Sequence, residues 1–114
     1  MSMTAEQQSE PVVTQAAERF EVSVDDRLAG FTEYLDHDGQ RIFYHTEIDS
    51  DFAGRGLAGV VVSQALAHTR EAGLRVVPIC PFVAGYLQKH NEFADITDPV
   101  TPADLEYVRT HRGG

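Results

Sequence analysis

The sequence predicts an α/β (α+β) domain in which an antiparallel meander is followed by a β–α–β unit, giving a mixed sheet. Apolar and polar residues alternate between tight turns over residues 19–48, and a long helical pattern then precedes a short apolar strand. The chain has 114 residues, enough for one hydrophobic core but too few for two. We therefore predict a disordered lead-in over residues 1–16 and a single domain over residues 17–114.

The meander is predicted from three alternating segments. Residues 20–24 alternate apolar and polar side chains, as in a half-buried strand. Asp25-Asp26 is a candidate tight turn, and a second strand runs from Leu28 to Leu35. Asp36 to Gly39 forms a strong turn signal, since Asp and Gly tolerate the backbone angles that turns require. The third strand is then Gln40 to Ile48.

A four-residue turn between the second and third strands would fix which side chains share a face. In that register Glu33 lies opposite Ile42, and the side-chain period of two places His45 and Glu47 on the other face. Both faces are substantially apolar, so helices are expected to cover both of them.

The second half of the chain carries the helical patterns. A broad apolar stripe predicts a helix from Leu57 to Ala72, ended by Gly73 in a left-handed conformation. Leu74–Ile79 is an apolar strand, and the right-handed crossover makes it parallel to the third strand. A second helix covers Pro81–His90, and a third begins after Thr101, with Pro102 as its first residue.

Composition and charge narrow the class of partner. The formal net charge is −9, which argues against nucleic-acid binding and is compatible with a cationic substrate. No apolar run reaches the length of about 20 residues that a membrane span needs, and the polar start of the chain shows no secretory signal. With Cys80 as its single cysteine, the chain is expected to be cytoplasmic.

The first candidate site is the turn between the third strand and the first helix. Gly54, Gly56 and Gly59 fall within six residues there, and Arg55 adds a positive charge. Glycines let a ligand approach the backbone, and the N–H groups that begin a helix favour an anion. The turn therefore predicts an anion site, unless its glycines only start the helix.

The second candidate is Cys80, which ends the fourth strand and immediately precedes a helix. Helix N-termini stabilise thiolates, so the residue is a candidate nucleophile, proton donor or contact to a cofactor. The alternative is a small buried apolar side chain, as most free cysteines are.

The third candidate is an acid–base group on the strands. His45 and Glu47 are two residues apart and share a face, so that the carboxylate can orient the imidazole for proton transfer. Glu33 is a separate candidate base on the opposite face. A salt bridge at the sheet edge is the alternative for each carboxylate. The histidines show no metal-ligand spacing with one another or with Cys80, so no metal site is predicted.

The order of elements and these residues together resemble the GNAT superfamily of acyl-CoA-dependent N-acetyltransferases, most closely its small single-domain YjdJ type. The resemblance covers roughly residues 19–96. It rests on three segments: His45–Ile48, the turn Gly54–Ala58, and Cys80–His90. The cofactor turn of the superfamily reads Gln/Arg-x-x-Gly-x-Gly/Ala. Gly56 and Ala58 match its last two fixed positions, whereas Ala53 departs from the first.

The resemblance implies acetyl-CoA as cosubstrate, held in a splayed site of a GNAT-like sheet without a metal. The backbone around the turn would bind its pyrophosphate through the residues Gly54, Arg55, Gly56, Leu57, Ala58 and Gly59. The strand edge near Ile48 would pair with the pantetheine arm, where the third and fourth strands separate.

The resemblance also implies direct attack of an amine on the thioester. Many members of the superfamily protonate the departing thiolate with a tyrosine, whose position is occupied here by Leu87, beside Tyr86. Cys80 would then replace it as acid or acyl acceptor. His45 with Glu47 would be the base pair, with Glu33 as the rival.

The acceptor implied by the resemblance is an amine, such as a lysine or the N-terminus of a basic protein or peptide. Two alternatives remain open at this point. One is a non-catalytic acyl-CoA-binding or sensor module, favoured by the departures at Ala53 and Leu87. The other is a plain structural module.

Overall fold

A computed structural model describes residues 10–112 of the chain. This part of the chain contains five strands, three helices and two short 3-10 segments. The strands are β1 Val12–Ala16, β2 Arg19–Val24, β3 Arg27–His37, β4 Gln40–Ile48 and β5 Arg75–Pro78. The helices are α1 Leu57–Glu71, α2 Pro81–Lys89 and α3 Pro102–His111, and the 3-10 segments are Ser50–Phe52 and Asn91–Ile96.

The strands form one mixed sheet in the order β1-β2-β3-β4-β5. Neighbours from β1 to β4 are antiparallel, and β5 is parallel to β4 across the α1 crossover. The predicted fold class is confirmed, and the three predicted helices lie within one or two residues of their observed bounds where a bound was predicted.

Tight turns join the antiparallel strands. Asp25 and Asp26 have φ angles of 54° and 64°, while Asp38 and Gly39 have 52° and 78°. Two residues with positive φ give a turn whose twist matches that of the flanking strands. The β3–β4 loop therefore has two residues rather than the four expected, and His37 is paired with Gln40.

A bulge in β4 changes which side chains share a face. Tyr34 pairs with Phe43 but Glu33 pairs with His45, so Tyr44 is an extra residue on β4. Directly paired residues of antiparallel strands lie on one face, so Glu33 shares the face of His45. The prediction of opposite faces was wrong because of the bulge: the two-residue turn alone would pair Glu33 with Tyr44, on the face that was predicted for it.

Strand β1 corrects the predicted lead-in of residues 1–16. Val12–Ala16 pairs with β2, so the described chain is already ordered within that stretch. Val12 is 56% exposed, and Thr14 and Gln15 are also exposed. The strand therefore lacks the apolar alternation by which half-buried strands are recognised. Residues 1–9 lie outside the described part of the chain.

Helix α1 covers one face of the sheet and closes the main core. Its buried side chains, among them Val61 and Leu66, pack with Phe20 and Phe43 of the sheet. Gly73, at φ 75°, ends the helix as predicted, and Leu74 donates its N–H to the Thr69 carbonyl at 3.1 Å.

Helix α3 covers only part of the opposite face. Thr101 caps it, and the Asp104 side chain accepts from the Thr101 backbone N–H at 3.0 Å. Val108 packs with a small cluster of sheet residues, namely Leu35, Ile42 and Val77. Helices therefore lie on both faces as expected, but the β2–β3–β4 part of this face remains open. No helix within residues 10–112 has the length and apolar character needed to cross a membrane.

Candidate active site

Strands β4 and β5 diverge at Phe43. Their pairing ends at Phe43 and Pro78, and the Phe43 carbonyl accepts from both the Ile79 N–H at 3.0 Å and the Cys80 N–H at 2.9 Å. Beyond this point β4 continues along β3, while the chain after Cys80 turns into α2. The two strands are therefore unpaired beyond Phe43, and we call the place where they separate the wedge.

The glycine turn leads from the end of β4 to the first turn of α1. Gly54 and Gly56 have φ angles of 82° and 72°, values that glycine adopts without strain. Gly56 is the residue before the helix, and its carbonyl accepts from the Val60 N–H. The N–H groups of the first helical turn have no partner within the helix, so the turn provides donors for an anion.

The space around this turn is open. A Cβ atom added at Gly54, Gly56 or Gly59 would meet no other atom within 4 Å. Arg55 lies at the surface with its guanidinium carbon 5.2 Å from the centre of the Phe52 ring. Ala53, which replaces the Gln or Arg of the superfamily pattern, donates its backbone N–H to the Ser50 carbonyl.

A groove of about 430 Å³ runs between this turn and α2. Gly56 and Gly59 form one wall, and the other is formed by α2 and its end, through Pro81, Phe82, Gly85, Tyr86, Lys89 and His90. The Tyr86 and His90 rings stack at 4.1 Å. The α2 wall was not among the site residues predicted from the sequence. The signal was the four-residue spacing of Phe82, Tyr86 and His90, which places them on one side of a helix.

Leu87, which the resemblance places at the tyrosine position of the superfamily, does not line this groove. It packs against the main core and borders a different cleft with Pro78 and Ala84. Its neighbour Tyr86 is therefore the tyrosine that faces the groove.

Cys80 is the residue before α2 and is 3% exposed. Its thiol donates a hydrogen bond to Thr46 Oγ1 at 3.3 Å. Thr46 in turn is 2.9 Å from Thr32 Oγ1 on the paired strand. The cysteine thus contacts the part of β4 that lies beyond the wedge.

The three candidate acid–base residues, His45, Glu47 and Glu33, lie on the open face of the sheet. His45 Nε2 is 3.1 Å from Glu47 Oε1, and the two side chains are 43% and 62% exposed. The predicted His–Glu pair is therefore present, and Glu33 is directly across from His45. Within residues 10–112, neither Glu33 nor Glu47 forms an ion pair with a lysine or arginine. The His45–Glu47 contact is itself an ion pair when the imidazole is protonated, so it fits both the acid–base and the salt-bridge interpretations of Glu47.

The pKa of Tyr44, the bulge residue, responds to the charged groups on this face. Burial raises the pKa of its phenol, and the Glu33 carboxylate raises it further, while Arg112 acts in the opposite direction. The Arg112 guanidinium carbon lies 5.0 Å from the centre of the Tyr44 ring. The bulge therefore lies between the Arg112 end of α3 and the acidic part of the face.

Among the residues that the structure describes, no three His, Cys, Asp or Glu side chains are placed to hold a metal ion. The His45–Glu47 pair, the Cys80 thiol and the glycine turn therefore stay the candidate functional groups.

A family model, described as GCN5-related N-acetyl-transferase, matches residues 19–96. The chain belongs to this family. The match covers most of the chain and includes the glycine turn, the His–Glu pair and Cys80. As a GCN5-related N-acetyltransferase, the protein is an enzyme of the acetyltransferase class, and the superfamily resemblance is confirmed. The YjdJ type stays a prediction.

The fold of this N-acetyltransferase is similar to that of a GCN5-like protein from Staphylococcus aureus, whose solution structure was determined by NMR. The two share 18% sequence identity with a TM-score of 0.62, and the alignment covers 90% of this chain and 96% of the other. No curated protein compared with the chain gives a significant match.

Proposed function

We propose that the protein transfers the acetyl group of acetyl-CoA to an amine by direct attack on the thioester. The observation that carries the proposal is the wedge at Phe43. Thr46 and Cys80 lie beside it on the α1 side, as the glycine-lined groove does, and His45 and Glu47 lie on the opposite face of β4. A thioester in the wedge would therefore be accessible to a donor site and an acceptor site from opposite sides of the sheet.

The groove has the chemistry that a CoA molecule requires. The pyrophosphate would accept from backbone N–H groups at Gly56 to Gly59, where no side chain fills the space. Lys89 would add a positive charge along the opposite wall, and the 43% exposed ring of Phe82 offers an apolar surface. The pantetheine arm would then extend toward Ile48 along the edge of β4 that β5 leaves unpaired.

The two sides of β4 separate the acid from the base. Thr46, which contacts Cys80, points to the side of α1, since its partner Thr32 is fully buried. Successive residues of a strand alternate, so His45 and Glu47 point to the open face. The thiol would approach the sulfur of CoA from one side, and the base would approach the amine from the other.

Each proposed catalytic group has a defined proton to move. His45, oriented by Glu47, takes the proton of the acceptor ammonium, so that the neutral amine can attack. Glu33, the cross-strand partner of His45, is the rival candidate for this task. Cys80 donates its thiol proton to the sulfur of the departing CoA. These steps require no covalent intermediate on the enzyme.

The open face also indicates the charge of the acceptor. Glu33 and Glu47 are on this face, with Glu21 on the neighbouring strand. Of the cations near this face, Arg19 is bound to Glu21 at 2.8 Å and lies 4.4 Å over the Phe31 ring, and Arg112 lies over the Tyr44 ring. We infer that the acceptor is a cationic amine, such as a lysine or N-terminus of a basic peptide.

Calorimetric titration with acetyl-CoA and CoA tests the donor site. We expect saturable binding to the wild type and a large loss in Gly56→Asp, because the new carboxylate would repel the pyrophosphate. Gly39→Asp is the matched control: Gly39 also has positive φ and open space around it, but it lies in the β3–β4 turn. Equal affinity in all three proteins, or no binding to any, would contradict the proposal.

A further inference from the structure

Cys80 is the end of a line of three hydrogen-bonding side chains. The thiol is 3.3 Å from Thr46 Oγ1, which is 2.9 Å from Thr32 Oγ1. Thr32 is fully buried and Cys80 is 3% exposed. Burying a hydroxyl group costs free energy unless it forms a hydrogen bond. The hydrogen bonds between these two threonines and the thiol offset that cost.

The bulge at Tyr44 creates this line. It shifts the β4 register by one residue, so that Thr46 rather than His45 pairs with the buried Thr32. Cross-strand threonines at this separation can join their hydroxyls. Thr46 is thereby presented to the α1 side of the sheet, where Cys80 precedes α2.

The two threonine hydroxyls can form a hydrogen bond with Cys80 whether it is a thiol or a thiolate. A hydroxyl carries one donor and two acceptor lone pairs. In the thiol state Cys80 donates to Thr46, and Thr46 is free to donate to Thr32. A thiolate only accepts, so Thr46 must then rotate to donate to sulfur, and Thr32 can donate to Thr46 in its place. Two rotations therefore follow the proton without moving the backbone.

We propose that Thr46, supported by Thr32, is a positioning residue that orients the Cys80 thiol and stabilises its thiolate during acetyl transfer. This rests on the proposed function, in which Cys80 is the acid. The S–H bond of Cys80 breaks, its proton forms the S–H bond of free CoA, and Thr46 donates to the sulfur left behind. The proton that the amine nitrogen releases on acylation balances this step and returns to Cys80 through solvent.

The test uses the thiol itself and needs no acetyl-CoA. Cys80 is the only cysteine of the chain, so the rate of alkylation by iodoacetamide reports on this thiol alone. The thiolate is the reacting form. Loss of a hydrogen bond to a charged group should slow alkylation of Thr46→Val by about tenfold. Thr46→Ser should restore the rate to within about twofold, and Thr32→Val should be slowed by about threefold.

Thr69→Val is the matched control. Thr69 is also fully buried, but its hydroxyl donates to the Ala65 carbonyl within α1, at 2.8 Å. Its alkylation rate should equal that of the wild type. Unchanged rates in Thr46→Val and Thr32→Val would overturn the proposal, and so would an equal slowing in Thr69→Val. If Thr46→Val does not fold, the alkylation rates of Thr32→Val and Thr69→Val are compared instead. A slower rate in Thr32→Val alone supports the proposal, and equal rates overturn it.

Acetyl transfer then separates this inference from the function on which it rests. With a basic peptide as acceptor, Thr46→Val should lower kcat and leave the KM for acetyl-CoA unchanged. A protein that shows the alkylation pattern but binds no acetyl-CoA would contradict the proposed function and not the thiol contact. A protein that binds acetyl-CoA without the alkylation pattern would contradict the role of Thr46.

Discussion

Glu33 and His45 are direct partners across the β3–β4 ladder, and their side chains lie on the same face of the sheet. Glu47 contacts the same imidazole at 3.1 Å. One imidazole therefore lies among two carboxylates, on the face that α3 leaves open. Two carboxylates on this face also attract a cationic acceptor.

We expect His45→Gln to lower kcat/KM for the amine by about 100-fold or more, because a positioned general base contributes about 10²–10⁴-fold. Glu47→Gln and Glu33→Gln should have smaller effects, since each leaves the imidazole in place. Initial rates with a lysine peptide would measure this. A larger loss in Glu33→Gln than in His45→Gln would instead identify Glu33 as the base.

The role of Cys80 can be compared directly with that of Tyr86. We expect Cys80→Ala to bind acetyl-CoA with near-normal affinity while kcat falls by about 100-fold, the contribution typical of a general acid. Tyr86→Phe keeps the ring that stacks on His90 and should retain kcat within about threefold. If Cys80→Ala turns over at the wild-type rate and Tyr86→Phe does not, the tyrosine is the acid and Cys80 has a packing role.

Gly30 is required by the packing of β3 against β4. A Cβ atom at this position would lie 2.5 Å from the Glu47 carbonyl oxygen and would also meet the Ile48 side chain. We expect Gly30→Ala to lower the free energy of unfolding by about 1–3 kcal/mol, as other overpacked sites do. Gly85→Ala is the contrast: Gly85 lies inside α2 with open space around it, so alanine should stabilise by about 0.5–1 kcal/mol. Urea denaturation of both variants measures the difference.

Asp98 makes the stability of the fold depend on pH in the acid range. Hydrogen bonds from Gln40 and then Arg75 hold the pKa of this carboxyl below its ordinary value. A carboxyl with a lowered pKa in the folded state stabilises the fold above its unfolded value, about 3.9. That stability is lost as the pH falls through the lower folded value.

We therefore expect Asp98→Asn to be less stable than the wild type at pH 7, with a difference that shrinks below about pH 4. Thermal unfolding between pH 2 and pH 7 would measure it. Asp38→Asn is the control, because the Asp38 side chain is 83% exposed. A stability difference for Asp98→Asn that is constant over this range would exclude the carboxylate as its source.

Most of the fold could be predicted from the sequence because its signals are local. The capping residues Thr101 and Pro102, the left-handed Gly73 and the apolar period of α1 each act within a few residues. The faces of the sheet could not be predicted beyond Tyr44. A bulge depends on how two strands fit together, and the alternation of either strand alone contains no mark of it.

The part of the candidate site that depends on local signals could be predicted from the sequence, and the part that depends on the bulge could not. The His45–Glu47 contact follows from the period of one strand, which the bulge does not disturb. The contact of Cys80 with Thr46 joins residues 34 positions apart, and it depends on the bulge and on the end of β5. Phe82 and His90 were missed although their spacing was visible, because an aromatic stripe on a helix usually indicates core packing.

The two sides of the sheet are held by apolar clusters of unequal size. On the α1 side the buried cluster extends from Phe20 to Phe93, whereas α3 is held by Val108 against three sheet residues. Segments with few buried apolar contacts open locally at a lower free energy than the whole fold. The backbone amides of α3 should therefore exchange with solvent while those of α1 remain protected, and Ile42 and Val77 would be transiently exposed without loss of the glycine-lined groove.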